Sequence, residues 1–104
     1  MERIYHLALL SDWEAAQQAG DYRTSTLGRT LEQEGFIHAS REDQWRIVKD
    51  LFYAEVPEAL VLLEIDPARL TCELRVEEVP EAGDSFPHLY GPLNLDAVTA
   101  VHRV

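Results

Sequence analysis

Apolar and polar positions alternate at the start of the chain. Over residues 3 to 9, Ile4, His6 and Ala8 share one face and Tyr5, Leu7 and Leu9 the other, which is the period of a strand. Ser11-Asp12-Trp13-Glu14 has the form of a capping box, so a helix is expected with Ser11 as N-cap, ended by Gly20. The polar stretch Asp21 to Thr26 leads into a short predicted helix, Leu27 to Glu34, closed by Gly35. Phe36 to Ala39 then reads as a brief strand. Ser40, with Asp43 at the third helical position, predicts the cap of a second main helix reaching Tyr53. Trp45, Val48 and Phe52, with Ile47 and Leu51 beside them, give that helix a wide apolar face for the core.

Beyond Pro57 the period changes. Leu60-Val61-Leu62-Leu63-Glu64-Ile65 is a dense apolar run of strand length, expected at the centre of a sheet. Asp66-Pro67 starts a turn. Leu74 and Val76 alternate with Arg75 and Glu77, Pro80 to Asp84 reads as a loop, and strands follow at Phe86 to Tyr90 and Ala97 to Arg103. The order is β, α, α, β, α, then three or four strands. That predicts a small α+β domain spanning residues 1–104, with helices in the first half and a mostly antiparallel sheet in the second.

Charge narrows the partners. The 104 residues carry a net charge of -10 with the basic side chains scattered, so a long nucleic acid is disfavoured, because such binding runs on phosphate neutralisation. A compact anion held by one or two arginines stays open. Cys72 is the sole cysteine, which fits a reducing cytoplasm, and no signal peptide or membrane span is evident. The expected state is monomer or homodimer.

The candidate chemistry lies in three histidines on strand-like segments, His6, His38 and His88, read here as catalytic candidates of one polar site. Each also has a plainer reading. His6 lies between apolar Ile4 and Ala8 and suits a core position with its nitrogens satisfied internally. His38 and Ser40 straddle an expected strand-to-helix junction, where a phosphate or carboxylate could sit, or where Ser40 simply caps. Arg23, among the hydroxyls of Tyr22, Thr24, Ser25 and Thr26, is a binding candidate on what is equally an ordinary solvated turn. His88 shares a face with Phe86 and Tyr90, an arrangement that suits a stacked nucleobase or nicotinamide ring and also a plain core corner. An open zinc site is the third possibility. No two of the three histidines have ligand-like short spacing, so no metal is expected.

Four blocks of the sequence resemble a family of small bacterial proteins of unknown function, DUF952. They are Ile4-Tyr5-His6-Leu7, Gly35-Phe36-Ile37-His38-Ala39-Ser40 with Gln44, Leu62 to Leu70, and Phe86-Pro87-His88-Leu89-Tyr90-Gly91-Pro92-Leu93 with Asp96-Ala97-Val98. The resemblance implies an ADP-ribosyltransferase-like fold, in which a split pair of small sheets holds NAD in a cleft. It gives His6 the role of binding the nicotinamide ribose. The superfamily's usual glutamate has no clear counterpart, although Glu64, Glu77 and Glu78 lie on late strands. The expected function is a histidine-lined cleft for a nucleotide or other small anionic, phosphate-bearing ligand, with His6, His38 and His88 central and Arg23, Ser40 and Tyr90 binding. Transfer of ADP-ribosyl type and a non-catalytic regulatory module both remain open on this reading.

Overall fold

The computed structural model describes residues 2–104 and has ten strands and three α-helices among them. Strands β1 (Ile4–Leu9), β6 (Leu60–Ile65) and β10 (Val98–Arg103) form an antiparallel sheet with β6 in the middle. Register pairs Ile4 with Ile65, His6 with Leu63 and Ala8 with Val61, so these six share one face. That face belongs to the main core, with Trp13 and Ala16 of helix α1 (Leu10–Ala19) and with Ile37 and Leu89 of a second sheet. The opposite face, through Tyr5, Leu7, Leu60 and Leu62, packs on Tyr53 and on Trp45 and Val48 of helix α3 (Trp45–Phe52). Burial on both sides is why β6 reads as a dense apolar run interrupted only by Glu64.

The second sheet has the order β5 (Ile37–His38), β8 (Asp84–Tyr90), β7 (Glu73–Val79), again antiparallel. Two short ladders complete the molecule: β2 (Asp21–Tyr22) on β9 (Leu93–Asn94), and the hairpin of β3 (Thr24–Thr26) with β4 (Arg29–Thr30). A bridge between Tyr5 and Ser40 joins the two three-stranded sheets. The N–H of each donates to the carbonyl of the other at 2.7 Å.

Several predicted elements changed. Ser11 does not cap α1; the helix begins at Leu10, whose N–H donates to Ala59 O at 2.9 Å, while Gly20 ends it at φ 98° as expected. The helix predicted from Leu27 shrinks to α2 (Leu31–Glu34). Thr30 and Gln33 form a reciprocal capping box that starts it, and the residues before it turn back as the β3–β4 hairpin through Gly28 at φ 73°.

Ser40 does not cap α3 either. Its C=O accepts from Tyr5 N–H in the bridge, the N–H groups of Gln44 and Trp45 donate to Arg41 O instead, and the helix starts at Trp45. The apolar face of α3 is mostly not core: Ile47 and Leu51 are each 58% exposed and Phe52 is 53% exposed. A helix lying on the outside of a three-stranded sheet has only one narrow stripe to bury. Val76 is likewise 66% exposed and does not share a buried face with Leu74.

One close approach tests the packing. A Cβ on Gly91 would stand 2.7 Å from the Cβ of Cys72, which is fixed to backbone and cannot rotate away. Gly91→Ala is therefore expected to cost about 1–3 kcal/mol, as overpacking does. Urea unfolding of the two proteins measures it, and equal midpoints would refute the contact.

Candidate functional site

Where the sheets diverge from the Tyr5–Ser40 bridge they leave a cavity of about 280 Å³. Tyr5, His6 and Leu7 of β1 form its floor, with Ala39 and Ser40 alongside. Val48, Phe52 and Tyr53 form one wall, and Val79, Glu81, Ala82 and Phe86 of the β7–β8 hairpin the other. His38 and Thr26 complete it, Thr26 Oγ1 sharing a 3.2 Å hydrogen bond with the Tyr53 hydroxyl. The hairpin is held in place from outside. Gln44 Nε2 donates to Asp84 Oδ2 and to Ser85 O, both at 2.8 Å, and Arg41 donates to the same two residues.

Strand geometry adds a backbone feature. Because the N–H and C=O of Tyr5 face Ser40 and not β6, those of Leu7 two residues on point to the same free edge. Leu7 lines the cavity, and among the described residues no strand pairs with β1 on that edge.

The three histidines converge, but into different situations. His6 is buried with both nitrogens engaged: Nδ1 with the carbonyl of His38 and Nε2 with the Tyr22 hydroxyl at 2.9 Å. A carbonyl only accepts, so Nδ1 carries the proton and Nε2 accepts from Tyr22. Burial pushes the His6 pKa down to about 4, partly offset by the bond to His38. The plainer reading of His6 therefore describes its ring, which has no nitrogen left for a ribose.

His38 borders the cavity, with Nε2 3.4 Å from Glu34 Oε1; burial lowers its pKa against the pull of that carboxylate. His88 sits directly opposite His38 in register, the rings edge-to-face at 5.1 Å. Its side chain is only 4% exposed, stacked under Phe36 at 4.2 Å, and it does not line the cavity. Its Nδ1–H donates to Glu77 Oε1 at 2.8 Å, while Nε2 is buried without a partner.

The remaining candidates fall elsewhere. Arg23 is half-exposed and tied to Asp21 at 3.1 Å and Glu32 at 3.5 Å, away from the cavity wall. Tyr90 donates to Glu77, lies under the Arg75 guanidinium at 4.6 Å, and borders a separate hollow beside Cys72 and Asn94. Ser40 does line the cavity, but with no helix N-terminus behind it to attract an anion. Of the late-strand glutamates, Glu64 pairs with His102 and Arg3 and Glu77 with His88; neither these nor Glu78 reaches the cavity.

Its one carboxylate among the described residues is Glu81, at the hairpin tip, within the Pro80 to Asp84 stretch whose composition reads only as loop. Phe52 and Tyr53 were missed as wall residues because their helical spacing reads as core. Tyr22 as a histidine partner left no signal in the sequence.

The fold is that of a small α+β domain with mostly antiparallel sheets, and the family follows from sequence. The model of the family of proteins of unknown function DUF952 matches residues 7–101, and the chain is a member of it. Among solved structures it is similar to protein CC0527 from Caulobacter crescentus. The crystal structure is 29% identical with a TM-score of 0.80, covering 97% of this chain and 84% of that one. The solution NMR structure is 30% identical with a TM-score of 0.68, covering 97% and 83%. No curated protein matches the sequence. Among the described residues, no helix is long and apolar enough to cross a membrane.

Protonation of His6 gives a test of its buried pairing. With a folded pKa of about 4 against 6.5 unfolded, the unfolded chain binds the extra proton first as pH falls, so stability drops between those values. Between pH 7 and pH 5 the loss from His6 is about 2 kcal/mol by linkage. His6→Gln is expected to flatten this part of the urea-unfolding profile. An identical pH slope in the variant would contradict the assignment.

Proposed function

We propose that the cavity binds the flat, amide-bearing ring end of an NAD-like nucleotide, and that the split between the two sheets is that of the ADP-ribosyltransferase-like fold. The observation that carries this reading is the free edge of β1 at Leu7. One N–H donor and one C=O acceptor stand side by side on an aromatic-lined wall, the complement of a carboxamide. A volume of about 280 Å³ suits one substituted ring rather than a whole dinucleotide, so phosphates would lie outside it. Among the described residues no Lys or Arg lines the cavity, so its wall fits the ring and not the phosphates.

Binding is favoured over transfer because the histidines are poorly disposed for chemistry. His6 has both nitrogens engaged, and His88 is off the wall. A non-catalytic small-molecule-binding or regulatory module is thus the form of function we favour.

Calorimetry with nicotinamide, NAD and ADP-ribose tests the reading. Saturable binding of the first two is expected, with ADP-ribose, which lacks the ring, at least about tenfold weaker. Phe52→Ala removes an exposed wall ring and should weaken nicotinamide by about three- to tenfold. Arg23→Ala should bind as the parent does. ADP-ribose binding tighter than nicotinamide would sink the proposal, and steady release of nicotinamide from NAD would replace a binding module with an enzyme.

A further inference from the structure

The chemistry of the cavity wall points to the charge of its occupant. Four aromatic side chains, Tyr5, Phe52, Tyr53 and Phe86, line it, and among the described residues the sole charged side chain on the wall is the Glu81 carboxylate. A second carboxylate stands behind Tyr5, whose hydroxyl donates to Glu42 Oε2 at 3.3 Å. Arg41, the guanidinium adjacent in sequence to Ser40, is turned away and held by Asp84, Asp43 and the carbonyl of Ser85.

We propose that this cavity selects compact organic cations, a pyridinium-type ring or a substituted ammonium, over neutral and anionic molecules of the same size. Aromatic rings present electron-rich faces that attract cations most strongly where water is excluded, and a carboxylate at the rim adds a direct Coulomb attraction. The chain's net charge of -10 adds a weaker, salt-screened attraction of the same sign. Among the described residues an anion would meet no Lys or Arg on the wall and one fixed negative charge. His38 does not alter this balance, because burial favours its neutral form. The inference rests on the reading of the cavity as a binding site, but not on the identity of the ring.

A charge series of near-equal shape tests it. 1-Methylnicotinamide, nicotinamide and nicotinate carry charges of about +1, 0 and -1 on one scaffold, and tetramethylammonium supplies the cation without the ring. By calorimetry in low salt, 1-methylnicotinamide is expected to bind at least about fivefold tighter than nicotinamide, with nicotinate weakest and tetramethylammonium competing for the site. Glu81→Gln, on an exposed turn where folding is not at stake, should reduce that ratio.

Nicotinamide or nicotinate binding as tightly as the methylated cation would overturn the charge selectivity while upholding the ring reading. Tetramethylammonium binding without any of the three pyridines would do the reverse. Neither cation saturating by roughly 20 mM, or a ratio unchanged in Glu81→Gln, would overturn the inference.

Discussion

Two hydrogen bonds between the backbones of Tyr5 and Ser40 are the joint on which the rest of the structure depends. They tie the edge of the first sheet to the segment leaving the second, and they do so at one residue pair only. Beyond the joint the sheets diverge, and that divergence makes the cavity. The imidazole of His6 reinforces it from the core side by reaching the carbonyl of His38, two residues from Ser40. On the outer side, Gln44 and Arg41 carry the link on to the β7–β8 hairpin. Backbone, buried imidazole and side-chain amide thus converge on the short stretch from His38 to Gln44.

The three histidines show how burial and partners divide one residue type among different roles. His6 is desolvated and doubly hydrogen-bonded, so its ring is part of the architecture. His38 keeps a face toward the cavity and only a long contact with Glu34. His88 has one nitrogen fixed by Glu77 and the other buried without a partner, which costs about 1–3 kcal/mol in such settings. Their proximity is real, yet it does not amount to a shared set of free donors.

The acid excess governs the electrostatics in a similarly local way. Arginines 3, 23, 29, 41, 69 and 75 each pair with a carboxylate, most of them at exposed positions where such pairs add little stability. Among the described residues no Lys or Arg lines the cavity. A sequence with 19 acidic and 9 basic residues has few guanidiniums to spare for an anionic ligand.

What the sequence by itself determined was the set of local and two-sided patterns. The alternation of β1, the apolar run of β6, the Gly20 helix end and the α+β order are properties of neighbouring residues, so they survive translation into structure. Tertiary structure decided everything that required distant backbones to meet. Ser40 has the composition of a helix cap, but its C=O, which a cap offers to the first helical N–H, accepts from Tyr5, 35 positions away in the chain, and the helix begins at Trp45. Leu51 and Ile47 have helical core spacing, but a single small sheet offers only one stripe of contact. The histidines could be picked out as a group, whereas Tyr22, Glu81 and the free edge at Leu7 could not. Which groups a fold leaves unpaired follows from its pairings, and those are long-range.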